Sequence, residues 1–89
     1  MPERTAIVGS AVGLHARPAA VFVQAAAGVP VEVGIAKPGG EPVSARSILS
    51  VLSLEAHGGD TVVLSAEGAG ADAALDRLAA LLATDLDAE

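Results

Sequence analysis

The chain has 89 residues, no cysteine and a formal net charge of −6, from 11 acidic and five basic side chains. No apolar run reaches the roughly 18 residues that a membrane span requires, so we expect none. The acidic balance and the single aromatic residue, Phe22, argue against nucleic-acid binding, which uses clustered basic and stacking side chains. The absence of cysteine excludes disulfide and thiolate chemistry and favours a cytoplasmic protein, and we expect no secretory signal.

Hydrophobic periodicity predicts two strands and one helix in the first half of the chain. A short stretch rich in branched residues predicts a strand over residues 4–9. Apolar residues at helical spacing predict a helix over 16–27, which Gly28 would end. Branched residues then alternate with others over 31–36, the period-two pattern of a strand with one buried face.

The second half predicts two strands and two helices. Residues 41–43 fit only a short edge strand, because the proline at position 42 cannot donate to a sheet ladder. A short helix follows within 44–54, beginning near Ser44 or Ser47. A strand is predicted over 61–66 and an amphipathic helix over 71–86.

The resulting element order is βαββαβα, with no linker or low-complexity tract. This order indicates an α+β fold in which three helices cover one face of a four-stranded antiparallel sheet, leaving the other face to water. We expect a single domain over residues 1–89.

One segment, residues 13–19 with the sequence GLHARPA, combines a nucleophile, a cation and a helix start. Pro18 suits the first turn of a helix, which places His15 at or just before the N-cap. The helix N-terminus and Arg17 both disfavour a cationic imidazole and so favour the neutral, nucleophilic form. After phosphorylation, the backbone N–H groups of Ala16 and Arg17 and the guanidinium would stabilise the phosphoryl dianion.

A lone histidine beside a helix is more often a surface or capping residue, and Arg17 alone is more often a solvated charge. The complete seven-residue block at a strand-to-helix junction is a more specific pattern. Apart from His15 it contains no metal ligand and no base to position water, which suits reversible transfer better than hydrolysis. His57 is interpreted as an exposed loop residue, and no metal site or cofactor is predicted because no third ligand accompanies the two histidines.

Residues 13–20, GLHARPAA, are similar to the active-site signature of the HPr family, the histidine-containing phosphocarriers of the bacterial phosphoenolpyruvate:sugar phosphotransferase system. A second block, residues 47–54 with the sequence SILSVLSL, resembles that family's regulatory-serine segment. The resemblance implies an open-faced β-sandwich over essentially the whole chain. It also implies a monomeric phosphoryl carrier that is a substrate of enzymes rather than an enzyme.

By this resemblance, His15 accepts a phosphoryl group at Nδ1 from phosphorylated enzyme I and passes it to sugar-specific EIIA proteins or domains. Arg17 would steady the phosphoryl group. Ser47 would be the residue that an ATP-dependent HPr kinase/phosphorylase modifies. A plain helix N-cap is an equally good interpretation of Ser47, and both roles are compatible.

The two N-terminal helices carry more apolar residues than a core can accept. Four large aliphatic residues at positions 48, 49, 51 and 52 cannot all point inward from so short a helix, so part of this set predicts an exposed patch for docking partners. The predicted partner-binding residues are Ala16, Ala20, Ile48, Leu49 and Leu52. An alanine-rich composition alone would explain the two alanines but not the larger side chains. Arg17, Lys37 and Arg46 would supply a positive rim for acidic partners.

Two other functions remain open at this point. A regulatory or nitrogen-branch paralogue would keep the chemistry of His15 and change the recipient. A small module that binds a ligand without covalent chemistry would not use His15 as a nucleophile.

Overall fold

The computed structural model describes residues 2–9, 13–14 and 16–84. In these ranges the chain forms four strands and three helices in the predicted order βαββαβα. Their bounds are β1 (Glu3–Ile7), α1 (Ala16–Ala27), β2 (Val33–Ala36), β3 (Val43–Ser44), α2 (Ile48–Ser53), β4 (Thr61–Ala66) and α3 (Ala71–Ala83). The strands are ordered β1-β4-β2-β3 in one sheet, and each neighbouring pair is antiparallel. The predicted α+β fold is confirmed.

Alternation along the strands separates a helix-covered face from an open face. The side chains of Ala6, Ile35 and Leu64 are buried towards the helices. On the other face, Thr5 is exposed and its register partner Val63 is half-buried. The sheet is therefore covered on one side only.

The helices supply the rest of the core through apolar stripes. Phe22 of α1 is the largest fully buried side chain, and Ala19 and Ala26 lie on the same buried stripe. In α3, the stripe includes Leu75 and Leu78, and this helix packs on β1 and β4. α1 contacts both α2 and α3, and its buried stripe belongs to the same core cluster as the buried residues of the sheet.

An ion-pair cluster also joins β1 to α3 at the surface. Arg4 donates from Nε to Asp76 Oδ1 at 2.7 Å and from Nη2 to Asp72 Oδ1 at 3.3 Å. The hydrogen bond and charge of Asp76, followed by Asp72, raise the pKa of Arg4. None of the helices in the described ranges has the length and apolar character needed to cross a membrane.

The predicted bounds of β1 and β2 were too long. β1 ends at Ile7 rather than residue 9, because the N–H of Val8 still donates to the carbonyl of Asp60 at 2.9 Å but the Val8 carbonyl accepts from Gly59, which breaks the regular ladder. β2 starts at Val33 rather than residue 31.

The predictions for β3 and for the end of α3 were also wrong in their bounds. β3 is Val43–Ser44 rather than 41–43, because only these two residues pair with Ile35 and Gly34 of β2. Pro42 therefore precedes the strand. α3 ends at Ala83, where Thr84 becomes extended, and the predicted end at Leu86 lies outside the described residues.

Candidate phosphoryl-acceptor site

The segment before the predicted acceptor is held tightly against the chain that follows α2. The N–H of Leu14 donates to the carbonyl of Ala56 at 2.9 Å, and the Leu14 side chain is only 1% exposed. Gly13 has a φ of +78° and approaches so closely that a Cβ there would lie 2.3 Å from the Ala56 oxygen. Only glycine fits this position without rearrangement. His15, the predicted acceptor, lies outside the described residues.

α1 begins at Ala16, immediately after His15 in the chain. Pro18 lies buried in the first turn, and Arg17 is exposed. The side chain of Ala16 lies outside the described part of the structure. The first N–H groups of a helix have no carbonyl partner within it, and they carry the positive end of the helix dipole. With an arginine and no acidic residue in its first turn, this end of α1 suits an anion.

The N-terminus of α2 is capped by Ser47. Its side chain accepts a hydrogen bond from the N–H of Ser50 at 3.2 Å, and its extended backbone is typical of an N-cap. Ser44 is in β3, so the helix begins after Ser47, which was one of the two predicted starts. The capping role of Ser47 is therefore present in the structure, while its modification remains a prediction.

α2 divides its large aliphatic residues between the core and the surface. Val51 is fully buried, whereas Leu49 is 77% exposed and Ile48 is 38% exposed. Leu52 is half-buried, and Ala20 is exposed on α1, the helix that α2 contacts. We call Ala20, Ile48, Leu49 and Leu52 the apolar docking surface. The structure places these residues on two contacting helices, and their role in partner binding remains a prediction.

Arg46 has a role that the sequence did not indicate. Its Nε donates to the carbonyl of Ala26 at 3.3 Å, and its Nη2 donates to those of Val29 and Val31 at 3.0 and 3.1 Å. The guanidinium thus binds three carbonyls at and beyond the C-terminal end of α1, rather than serving only as rim charge. The last turn of α1 contains no basic residue, and this lack was the one sequence signal that a cation would come from elsewhere.

Gly13 and Leu14 contact the segment of residues 56–60, and Asp60 forms two hydrogen bonds within that segment. Asp60 Oδ2 accepts the backbone N–H of His57 at 2.9 Å, and the N–H of Asp60 donates to the carbonyl of His57 at 3.0 Å. The hydrogen bond from the His57 backbone lowers the pKa of Asp60. The His57 side chain is 71% exposed, as expected for a loop residue, with Nδ1 3.6 Å from Asp60 Oδ2.

A cavity of about 350 Å³ lies away from α1, on the open face of the sheet. Its lining residues are Glu32, Gly34, Ser65, Ala66 and Glu67. Its two carboxylates would repel a phosphoryl dianion, so this cavity is not an alternative phosphate site. Within the described ranges, no group of three or more acidic or histidine side chains is arranged to hold a metal ion.

Comparison with known proteins agrees with this arrangement. A family model described as "PTS HPr component phosphorylation site" matches residues 2–84. Phosphocarrier protein HPr of Streptomyces coelicolor is 54% identical over 87 residues, covering 98% of this chain and 94% of that protein. Phosphocarrier protein NPr of Shewanella violacea is 38% identical over 85 residues, covering 96% and 92%.

The fold is also similar to solved structures. HPr-C-His from Thermoanaerobacter tengcongensis superposes with a TM-score of 0.89 at 37% identity, covering 100% of this chain and 99% of that chain. The family match, the identity and the fold agree over nearly the whole chain. The chain therefore belongs to the HPr family, the phosphocarrier component of the phosphotransferase system.

Proposed function

We propose that this protein carries a phosphoryl group on His15, which it accepts from phosphorylated enzyme I and donates to sugar-specific EIIA proteins or domains. The observation that supports this most directly is the start of α1 at Ala16, with Arg17 in a first turn that lacks acidic residues. Such a helix end can stabilise a dianion on the residue before it.

The proposed chemistry is the reversible transfer of a phosphoryl group from enzyme I to His15 and from His15 to EIIA. The lone pair of His15 Nδ1 attacks phosphorus, and the bond from phosphorus to the donor atom of enzyme I breaks with its electron pair left on that atom. Transfer to EIIA repeats the same exchange with His15 as the leaving group. Arg17 and the first backbone N–H groups of α1 stabilise the negative charge on the phosphoryl oxygens throughout.

This proposal makes the protein a substrate of phosphotransferases rather than an autonomous enzyme, and it needs no cofactor or metal. We further propose a cytoplasmic monomer in which residues 1–89 form one phosphocarrier domain. The apolar docking surface would give a transient contact, since Leu49 and Ile48 are already exposed and need no rearrangement to meet a partner.

The sugar branch is favoured over a nitrogen-branch paralogue. The chain is 54% identical to an HPr and 38% identical to an NPr, over similar lengths. A module that binds a ligand without covalent chemistry has no comparable support.

A labelling experiment tests this function. The protein is incubated with phosphoenolpyruvate and enzyme I, and the expected product carries one acid-labile, base-stable phosphate. His15→Ala should abolish the label, and His57→Ala, which removes the other histidine, is the matched control and should keep it. Arg17→Ala should slow transfer about tenfold or more without unfolding the protein, because it removes one charge-assisted contact. An unlabelled wild-type protein, or a labelled His15→Ala variant, would refute the proposal.

We also propose that Ser47 is a regulatory phosphorylation site. A phosphoryl dianion on this N-cap would lie beside the exposed side chains of Ile48 and Leu49, so it would oppose apolar docking. Incubation with ATP and an HPr kinase/phosphorylase should label the wild type and not Ser47→Ala. Label that persists in Ser47→Ala would assign the modification to another residue.

A further inference from the structure

The residues just before His15 rest on one short segment, residues 56–60. The contact is made by backbone on both sides: the N–H of Leu14 donates to the Ala56 carbonyl at 2.9 Å, and Gly13 lies against Ala56 and His57. A Cβ on Gly13 would lie 2.7 Å from the Cα of His57. The position of the acceptor segment therefore depends on where the backbone of residues 56 and 57 lies.

The conformation of residues 56–60 depends on the side chain of Asp60. Asp60 Oδ2 accepts a hydrogen bond from the N–H of His57 at 2.9 Å, and the N–H of Asp60 donates to the His57 carbonyl at 3.0 Å. Two further backbone bonds tie the segment to the end of β1, from Val8 to the Asp60 carbonyl at 2.9 Å and from Gly59 to the Val8 carbonyl at 2.8 Å. Of these four bonds, only the one that the carboxylate accepts from the His57 N–H uses the side chain at position 60.

Asp60 is charged at neutral pH, as an ordinary aspartate is, and its surroundings lower its pKa further. The N–H of His57 is the main cause of its lowered pKa, with smaller contributions from the charges of His57 and Lys37. The side chain of Asp60 is 43% exposed, so it also meets water. A charged carboxylate accepts a stronger hydrogen bond from a backbone N–H than a neutral group does.

We propose that Asp60 is a positioning residue for phosphoryl transfer at His15, acting through the His57 N–H and the Ala56 carbonyl on Leu14. This inference rests on the proposed function. Transfer requires the attacking nitrogen in line with phosphorus, and a small displacement of a reacting group lowers the rate strongly. Asp60 is not part of the apolar docking surface, so its loss should change the rate of the transfer step more than the affinity for the partner.

The test measures kcat and KM for phosphoryl transfer from phosphorylated enzyme I. Asp60→Ala should lower kcat about tenfold and change KM less than about twofold. Asp60→Asn keeps an oxygen at the same distance and should recover most of kcat. Asp60→Glu keeps the charge but displaces the oxygens by one methylene, so it should be slow. Asp72→Ala is the matched control, because it removes an exposed aspartate that bonds Arg4 far from this segment.

The outcomes separate this inference from the proposed function. If the wild type accepts no phosphoryl group, the proposed function fails. If the wild type transfers normally and Asp60→Ala matches Asp72→Ala, only the positioning role fails. A change confined to KM would also overturn it, since it would place Asp60 in docking. If Asp60→Ala does not fold, the kcat values of Asp60→Asn and Asp60→Glu are compared instead. A higher kcat for Asp60→Asn supports the role, and a kcat for Asp60→Glu that is equal or higher overturns it.

Discussion

The two ends of α1 leave opposite backbone groups unsatisfied, N–H donors at the N-terminal end and carbonyl acceptors at the C-terminal end, and they are completed in different ways. At the C-terminal end, Arg46 reaches across from the segment after β3 and binds the carbonyls of Ala26, Val29 and Val31. This end is closed by the protein itself, with a cation where the helix dipole is negative. At the N-terminal end, the first turn contains Arg17 and no acidic residue.

A cation in the first turn of a helix opposes the dipole, so Arg17 is poorly placed for stability alone. Its position becomes favourable when an anion joins the same end, as the proposed phosphoryl group on His15 would. Under the proposed function, one end of α1 is closed for stability and the other accepts a transient anion. Four predictions test this division, in order of decreasing effect.

The largest effect is expected at the N-terminal end, from Gly13→Ala. The new Cβ would lie 2.3 Å from the Ala56 oxygen, and the residue would have to keep a φ of +78°. We expect a loss of about 3–4 kcal/mol in the free energy of unfolding, measured by urea denaturation, together with slower phosphoryl transfer. Gly39→Ala is the matched control, because Gly39 has a φ of +80° and nothing within 4 Å of the added Cβ. It should cost about 1 kcal/mol, from backbone strain alone. Equal losses in the two variants would contradict the close approach at Gly13.

At the C-terminal end, Arg46→Ala removes three hydrogen bonds at once. The carbonyls regain water in part, so we expect the free energy of unfolding to fall by about 1–2 kcal/mol. The free energy of unfolding of Arg46→Lys should lie between those of Arg46→Ala and the wild type, because one ammonium group cannot replace all the hydrogen bonds of a guanidinium. Arg77→Ala, at an exposed position of α3, should change stability by less than about 0.5 kcal/mol. If Arg46→Ala were no less stable than Arg77→Ala, the closure of this end would be refuted.

The variant Leu49→Ala tests the apolar docking surface. Because Leu49 is 77% exposed, its truncation should leave the unfolding free energy nearly unchanged. We expect KM for phosphorylated enzyme I to rise about fivefold through the lost apolar contact. Ile7→Ala removes another exposed aliphatic side chain, 51% exposed on β1, and should leave KM unchanged. A similar rise in both variants would remove the apolar docking surface as the explanation.

The smallest effect is a pH dependence from Asp60. Because its pKa is lowered in the folded protein, its contribution to stability is fully present above the ordinary value of 3.8 and is lost as pH falls through the folded pKa. The stability difference between wild type and Asp60→Asn should therefore be constant above about pH 5 and shrink at lower pH. Urea denaturation from pH 2 to 7 measures this difference. If the stability difference widened at low pH, folding would raise the pKa of Asp60 rather than lower it.

Local patterns were sufficient to predict the bounds of one helix and one strand. The bounds of α1 (Ala16–Ala27) and β4 (Thr61–Ala66) agree with the prediction, because a long apolar stripe ending at a glycine and a run of branched residues each carry their own signal. β3 was misplaced because a two-residue strand has no periodicity, and its position is fixed only by pairing with Gly34 and Ile35. The same pairing placed Ser44 in the sheet and left Ser47 to cap α2.

The sequence by itself determined the order of elements, the family resemblance and the segment proposed to carry the phosphoryl group, since these depend on neighbouring residues. Only the tertiary structure decided what supports that segment and closes the far end of α1. Asp60 acts through the backbone of residues 56 and 57 on Leu14, and Arg46 reaches carbonyls 15 to 20 residues away in the chain. These side chains bind backbone groups, which every residue has, so no local sequence pattern identifies their partners.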